Sequence, residues 1–318
     1  MKSELPVVTS SPHLRSPVTV SALMRDVVIA LLPALFAAVV FFGERAVMIV
    51  ALGVLSAVVA EAGYQRLARR PVTVGDWSAV VTGMLLAFNL PPSAPWWLPV
   101  VGSAFAIVVA KQLFGGLGQN FINPALAARA MLMASWPAHM TAWIRPFDAV
   151  STATPLAALV PKTGVAAQLP TYWEMFVGAT AGCVGETSAL ALLVGGGYLL
   201  VRRVISWHTP AAFIGTVAVL TWVFGGVDGL FSGDWLRHIL AGGLMLGAFF
   251  MATDYVTSPV TPKGKLIMGL GCGVLTVIIR LHGGFPEGVS YAILLMNLAT
   301  PLIDRYVQPR PFGEVRKK

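Results

Sequence analysis

One short stretch of this 318-residue chain carries hydroxyl groups in an arrangement that suits covalent attachment of a ligand. It runs from Asp148 to Leu156 and places Ser151 and Thr154 among small residues. Small neighbours let a bulky group approach the backbone closely, and a threonine oxygen can form a phosphoester. An ordinary Ser/Thr turn that ends at Pro155 would give the same pattern. The residues alone therefore leave a covalent site and a plain turn both open.

Two charged residues lie near the middle of long apolar runs, away from their ends. Glu186 belongs to a polar Gly-Glu-Thr-Ser break in the run from 174 to 201, and Arg129 lies midway along the run from 121 to 136. Burying either side chain without a partner is costly in a membrane. We predict that the two pair with each other, and a role for Glu186 in cation transit is the alternative.

The sequence predicts no metal site and no catalytic residue. The five histidines are scattered over loops and the ends of apolar runs, so no two have the spacing to ligate haem. Cys183 and Cys272 lie far apart without a Cys-x-x-Cys motif, and we predict that Cys183 is a packing residue. The net charge of +8 is not gathered into a basic patch with interleaved aromatics, so we predict no nucleic-acid partner.

The elements that must position these residues are membrane helices. Apolar residues make up 56% of the chain and charged residues 11%, against roughly 25% charged residues in soluble domains. This composition excludes a soluble enzyme, a disordered protein and a secreted disulfide-bonded domain. Because a membrane helix needs about 20 mostly apolar residues, we predict about ten spans within the lipid bilayer. They are 27–42, 46–62, 77–92, 96–114, 121–136, 174–201, 210–226, 235–252, 265–281 and 287–303.

The basic residues predict how these helices are oriented. With the N-terminus in the cytoplasm, sixteen of the 22 Lys and Arg residues fall on the cytoplasmic side, in line with the positive-inside rule. We therefore predict that both termini are cytoplasmic and that Thr154 lies outside. The predicted segments are a cytoplasmic tail (1–26), a first five-helix half (27–136), an outer loop (137–173), a second five-helix half (174–303) and a basic cytoplasmic tail (304–318).

A short string recurs at corresponding places in the two halves. Gly75-Asp76-Trp77 opens the third predicted span, and Gly233-Asp234-Trp235 opens the eighth. Because five is odd, corresponding helices would run in opposite directions, as in the inverted repeats of many transporters. We predict an all-α polytopic membrane protein of two inverted five-helix repeats with broken helices. Chance recurrence of a three-residue string is the alternative.

Several strings resemble the RnfD/NqrB family, which supplies membrane subunits of Rnf complexes and of sodium-pumping NADH:quinone oxidoreductases. The pattern Asp148-x-x-Ser151-x-Ala153-Thr154 is similar to the flavinylation motif of that family. Other similar strings begin at Gly115, Gly185, Thr257 and Gly283, and the resemblance extends from about residue 15 to 305. The short N-terminal tail and the proline after Thr154 are more like RnfD than NqrB.

The resemblance implies an FMN that is joined through its phosphate to Thr154. A dedicated periplasmic flavin transferase would attach it, and the location of Thr154 predicted from the charges agrees with this. Ser151 and Asp148 would be motif residues that shape the loop or guide the transferase. The resemblance also implies a second, non-covalent flavin near the cytoplasmic side, for which riboflavin is one candidate.

Asn120 and Asn123 precede the fifth predicted span on the cytoplasmic side. Amide side chains both donate and accept hydrogen bonds, which fits the edge of a flavin ring, and a helix N-terminus favours an anionic ring. Asp254, at the cytoplasmic end of the eighth span, is a plausible partner there. The alternatives are that Asn123 is only a helix cap and that Asp254 is only a solvated loop acid.

The resemblance thus implies a component of a redox-driven ion translocase that is not catalytic on its own. Electrons would pass between ferredoxin and NAD through partners that resemble the A, B, C, E and G components of Rnf complexes, coupled to movement of Na+ or H+ across a bacterial inner membrane. The sequence has neither a dinucleotide fold nor an iron–sulfur ligand set, so those functions would belong to the partners. A ten-helix inverted-repeat transporter or channel with no redox role is the alternative.

Overall fold

The computed structural model describes residues 18–147, 150, 152–159, 169–226, 229–283 and 287–308. Two predicted motif residues, Asp148 and Ser151, lie outside the described residues, as do most of the two predicted tails. Within the described ranges the chain is helical and contains no extended strand, which confirms the predicted all-α fold.

The described helices follow the predicted spans closely. Two of them, α4 and α12, continue directly into π-helical turns at Val108–Gln112 and Gly247–Met251. The helices are α1 (Val20–Phe42), α2 (Glu44–Leu67), α3 (Ser78–Phe88), α4 (Trp97–Ile107), α5 (Pro124–Ser135), α6 (Pro137–Met140), α7 (Pro155–Leu159), α8 (Tyr172–Val177), α9 (Ala189–Val201), α10 (His208–Phe224), α11 (Trp235–Leu240), α12 (Leu244–Leu246), α13 (Pro262–His282) and α14 (Val289–Tyr306).

The first helix begins earlier than the apolar run alone predicts. It starts at Val20, inside the predicted tail, because Thr19 Oγ1 accepts a hydrogen bond from the Ala22 N–H at 3.2 Å and caps it. Asp26 in its second turn accepts a hydrogen bond from the Tyr198 hydroxyl of α9 at 2.9 Å. The Thr19 cap and the hydrogen bond that Asp26 accepts therefore extend α1 beyond its apolar part.

Two of the predicted spans are broken in the middle. The sixth consists of α8 and α9, separated by residues 178–188, and the eighth consists of α11 and α12. The first break is fastened to the end of α3, where Val184 donates to Leu90 O at 2.9 Å and Gly185 donates to Phe88 O at 3.0 Å. Irregular backbone is tolerated at membrane depth where the protein itself satisfies its polar groups. The predicted broken helices are confirmed.

The described helices have apolar outer faces as well as apolar cores. By length and composition, α1, α2 and α13 could each cross a membrane, whereas α3, α9, α10 and the joined α4 and π-turn are apolar but shorter. Phe36 on α1 is 72% exposed and Leu55 on α2 is 61% exposed. Large exposed apolar side chains on long helices are typical of a surface that faces lipid.

The recurring Gly-Asp-Trp string precedes a helix in both halves, and in each its aspartate accepts a hydrogen bond from a backbone N–H in the first turn. Asp76 Oδ1 accepts from the Ser78 N–H at 2.8 Å at the start of α3, and Asp234 Oδ1 accepts from the Arg237 N–H at 3.1 Å at the start of α11. Helix pairing recurs as well, since α2 packs on α4 and α10 packs on α13. The inverted relation between the halves stays a prediction, which these pairings support.

Candidate functional site

Thr154 lies at the start of a short helix at one end of the bundle. Its side chain is 7% exposed, and its Oγ1 accepts a hydrogen bond from the Ala157 N–H of α7 at 3.3 Å. Leu156 anchors α7 by packing with Met175 of α8 and with Ala241, which follows α11. The Thr154 hydroxyl therefore caps a helix, which agrees with the alternative of an ordinary Ser/Thr turn. Covalent attachment of a ligand at Thr154 stays a prediction.

A cavity of about 560 Å³ borders Thr154. Thr154, Thr171 and Thr180 contribute hydroxyl groups to its lining, and Arg145 contributes a guanidinium. Small-molecule sites in proteins commonly have volumes of about 300–1,000 Å³, so the space accommodates a cofactor of moderate size. Because a guanidinium suits phosphate oxygens, these residues fit a ligand that is held to Thr154 through a phosphate.

A second, narrower cavity brings together three of the predicted site residues. Asn120, Asn123 and Asp254 all line it, and Phe249 and Phe250 of the second π-turn contribute to its apolar wall. A mostly apolar cavity with a few convergent polar groups is the usual form of a small-molecule site. The structure thus places the three residues in one site, and flavin binding there stays a prediction.

The two cavities lie at opposite ends of the bundle. Met24 and Val27, near the start of α1, line the Asn123 cavity. The loop that leads to Thr154 contacts the far end of the same helix, where the Phe147 N–H donates to Phe41 O at 3.3 Å. At 1.5 Å per residue, α1 rises about 25 Å between Met24 and Phe41. Most of the length of the bundle therefore separates the two cavities.

Asn123 caps α5 and also lies on the wall of the second cavity. Its Oδ1 accepts from the N–H groups of Ala125 and Leu126 at 3.0 and 3.3 Å and so caps α5, while its Nδ2 donates to Met251 O at 3.5 Å. Asn120 is 5% exposed, and its Nδ2 donates to Ile122 O at 3.1 Å. The helix cap thus fixes Asn123 on the wall of the cavity, so capping and ligand contact do not exclude each other.

Asp254 is half-buried at the mouth of the same cavity and is not freely solvated. The Thr257 hydroxyl donates to its Oδ2 at 3.1 Å. Burial raises the pKa of the Asp254 carboxyl above its ordinary value, although the hydrogen bond from Thr257 acts in the opposite direction. This carboxyl is therefore easier to protonate than one in water, and it can present either a donor or an acceptor to a ligand.

Arg129 and Glu186 are both buried in one polar cluster, but the predicted pair between them is wrong. Arg129 instead forms an ion pair with Glu287, and its Nη1 donates to Asn89 Oδ1 at 2.7 Å. Glu186 Oε1 accepts a hydrogen bond from the Cys183 N–H at 3.0 Å. Sequence reasoning missed Glu287 because a carboxylate at the first residue of a span resembles a loop residue.

A second buried ion pair, also missed by sequence reasoning, borders the Asn123 cavity. Lys111 Nζ lies 2.9 and 3.0 Å from the two carboxylate oxygens of Glu61 and 2.6 Å from Ser78 Oγ. Lys111 is 2% exposed and Glu61 is 1% exposed, so neither charged group reaches the surface of the bundle. Glu61 could have indicated this pair from the sequence, because an acid within an apolar run requires a partner.

Comparison with known proteins places the whole chain in one family. The NQR2, RnfD, RnfE family matches residues 7–313. The D subunit of the Na(+)-translocating ferredoxin:NAD(+) oxidoreductase complex of Acetobacterium woodii is 55% identical over 315 residues, which cover 98% of this chain and 96% of the relative. The D subunit of the proton-translocating ferredoxin:NAD(+) oxidoreductase complex of Clostridium ljungdahlii is 47% identical over 99% of this chain and 98% of the relative. The D subunit of the ion-translocating oxidoreductase complex of Halorhodospira halophila is 39% identical over 96% and 95%.

Proposed function

Because this chain belongs to the NQR2, RnfD, RnfE family, we propose that it is the D-type membrane subunit of an Rnf-type ion-translocating complex and carries electrons through an FMN bound covalently to Thr154. The observation that carries the proposal is the position of Thr154 on a cavity that Arg145 also lines. A threonine hydroxyl and a guanidinium on one cavity suit a phosphoester, since the cation offsets the phosphate charge.

A second, non-covalent flavin, such as riboflavin, would occupy the cavity at the other end of the bundle. Asn120, Asn123 and Asp254 give that cavity amide and carboxyl groups, and Phe249 and Phe250 give it aromatic surface. These are the group types that hold the polar edge and the faces of a flavin ring. Two carriers at opposite ends would let one protein chain take part in electron transfer across the membrane.

A flavin supplies one- and two-electron chemistry, and the protein supplies binding, orientation and electrostatics. In this chain Thr154 Oγ1 would hold the phosphate, and Arg145 would offset its charge. Asn123, fixed by its cap on α5, would present its amide to the second ring without reorganisation. The mostly apolar wall of the Asn123 cavity would exclude water from the second ring.

The remaining parts of the electron path would lie on partner proteins that resemble Rnf A, B, C, E and G. Two relatives are named for ferredoxin and NAD(+), and we propose the same pair of electron carriers here. One of those relatives is named for Na(+) and the other for protons, so either ion is compatible with the family. We propose that the protein lies in a bacterial inner membrane with Thr154 outside, where a flavin transferase would modify it.

In-gel fluorescence of the denatured protein tests the covalent flavin. Wild-type protein, made in cells with an active flavin transferase, should give a fluorescent band that Thr154→Ala abolishes. Thr152→Ala is the matched control, because Thr152 lines the same cavity two residues away and should leave the band intact. A wild-type band without fluorescence would contradict the proposal and would favour a transporter with no redox role.

The second flavin is tested separately by acid extraction of the purified complex. Asn123→Ser keeps a capping oxygen for α5 but removes the amide, so flavin released by acid should fall while the Thr154-dependent fluorescent band stays. Unchanged acid-extractable flavin in this variant would remove Asn123 from the site and leave the Thr154 proposal standing.

A further inference from the structure

We infer that Glu186 takes up one monovalent cation, a proton or Na+, when an electron enters this protein. The inference rests on the proposed electron-carrying function and adds a site for the ion. Glu186 is 4% exposed, and its Oε1 accepts a hydrogen bond from the Cys183 N–H at 3.0 Å. Among the described residues its Oε2 has no hydrogen-bond partner. A buried carboxylate oxygen without a partner is unfavourable, and a bound cation would relieve this.

The neighbouring ligand atoms are arranged to share such a cation. A carboxylate oxygen of Glu186, one of Glu287 and the Cys183 sulfur lie within 4.8 Å of one another. Gly243 leaves space beside the unpartnered oxygen, because a Cβ at this position would lie 2.9 Å from Glu186 Oε2. Any residue larger than glycine at position 243 would therefore crowd the unpartnered side of the carboxylate.

The charges around Glu186 balance before any cation binds. Arg129 of α5 pairs with Glu287, and Arg280 of α13 is fully buried, donating to His238 O at 2.5 Å and Ala241 O at 3.1 Å. Two buried guanidinium groups thus face two carboxylates, with the Cys183 thiol beside them. A cation on Glu186 would leave one positive charge without a counterpart, which is costly at low dielectric.

An added electron supplies the missing negative charge, and the cluster lies between the two cavities that would receive it. Residues Ala179, Thr180 and Ala181, on the stretch of chain that leads to Glu186, line the Thr154 cavity. In the other direction, Asn89 accepts from Arg129, and its Nδ2 lies 3.7 Å from Met251 Sδ. The Met251 carbonyl in turn accepts from Asn123 of the second cavity.

The exchange conserves charge at each stage. One electron from the reducing partner adds one negative charge to a cavity, and one H+ or Na+ from solution binds to the Glu186 carboxylate. When the electron leaves for the next carrier, the cation is released. No covalent bond other than the O–H bond, in the case of a proton, forms or breaks at Glu186.

Infrared difference spectra of the purified, flavin-loaded complex, reduced minus oxidised, test this directly. The wild type should show a carboxyl signal that Glu186→Gln abolishes and that Glu44→Gln, a change of an exposed acid at the start of α2, leaves unchanged. A protonated carboxyl would give a carbonyl-stretch band that shifts in D2O and needs no Na+. Bound Na+ would instead shift the carboxylate stretch in Na+ buffer but not in K+ buffer.

Gly243→Ala is a second variant that keeps the carboxylate but fills the space beside it. Its backbone angles of φ −75° and ψ 17° are accessible to alanine, and the variant should weaken the signal. A signal that persists in Glu186→Gln, or no carboxyl signal in a wild type that shows the fluorescent Thr154 band, would overturn the inference alone. A wild type without that band would overturn the proposed function and the inference together.

Discussion

Lys111 illustrates how one charged side chain can be held inside this bundle. It lies in the π-turn after α4, and the next residue, Gln112, also reaches Glu61, with Nε2 2.7 Å from Oε1. π-Turns within helices are frequent at functional sites, and this one lies on the wall of the Asn123 cavity. A buried pair of this kind adds little net stability, but each partner becomes costly when the other is removed.

We therefore expect Lys111→Met to destabilise the protein by about 3–5 kcal/mol, because it leaves the Glu61 charge buried without a cation. The double variant Lys111→Met/Glu61→Gln should recover most of that loss. Thermal unfolding of the detergent-solubilised protein measures both. The control is Arg202→Gln, which removes an ion pair to Asp26 whose arginine is 57% exposed and should change stability by at most about 1 kcal/mol. A double variant no more stable than the single one would contradict this explanation.

For individual residues, the sequence predicts which side chains form the candidate sites better than it predicts the partners of those side chains. Asn120, Asn123 and Asp254 could be assigned to one site from the resemblance, and the fold does place them on one cavity. The partner of Arg129 could not be predicted, because the choice between Glu186 and Glu287 depends on how α5 meets the start of α14. Residue type indicates the need for a partner, and only tertiary packing selects it.

The contact of α1 with α9 shows how whole elements approach each other. A Cβ at Gly195 would lie 2.0 Å from Ala30 O, so the two helices touch backbone to backbone there. Two residues further along α9, a Cβ at Gly197 would meet nothing within 4 Å. Small residues at helix crossings allow this close approach in membranes, and only one of the two glycines is needed for it.

We expect Gly195→Ala to destabilise the fold by about 1–3 kcal/mol through overpacking. Gly197→Ala, on the same helix and with the same gain in helix propensity, should be neutral or slightly stabilising. The melting temperatures of the two variants, measured side by side, test the crossing. Equal melting temperatures would mean that α1 and α9 do not meet at Gly195.

The elements themselves were largely predictable, since an apolar run of suitable length in a weakly charged chain has few alternatives to a membrane helix. The polar string around Glu186 also predicted a break in the sixth span. The length of that break was less predictable, because the hydrogen bonds from Val184 and Gly185 to the end of α3 hold residues 178–188 out of the helix. Those bonds join segments that are distant in sequence.

For the whole molecule, the distribution of charge over the fold predicts one orientation in the membrane. The Tyr172 hydroxyl at the start of α8 donates to Asp234 Oδ2 at 2.7 Å. The loop between α10 and α11, which includes Leu230, therefore lies at the same end of the bundle as the Thr154 cavity. Leu67, at the end of α2, belongs to the end that holds the clustered arginines 66, 69 and 70. The positive-inside rule predicts that this second end lies in the cytoplasm.

Two leucine-to-cysteine variants test this orientation with a membrane-impermeant maleimide. Leu230 is 67% exposed and Leu67 is 88% exposed, so a cysteine at either position can react, whereas the native Cys183 and Cys272 are fully buried and supply an unlabelled background. Leu230→Cys should be labelled in intact cells whose outer barrier has been removed, and Leu67→Cys only after the membrane is permeabilised. The reverse pattern would place Thr154 in the cytoplasm, out of reach of an external flavin transferase. The same orientation that follows from a few charges is thus the one that covalent attachment at Thr154 requires.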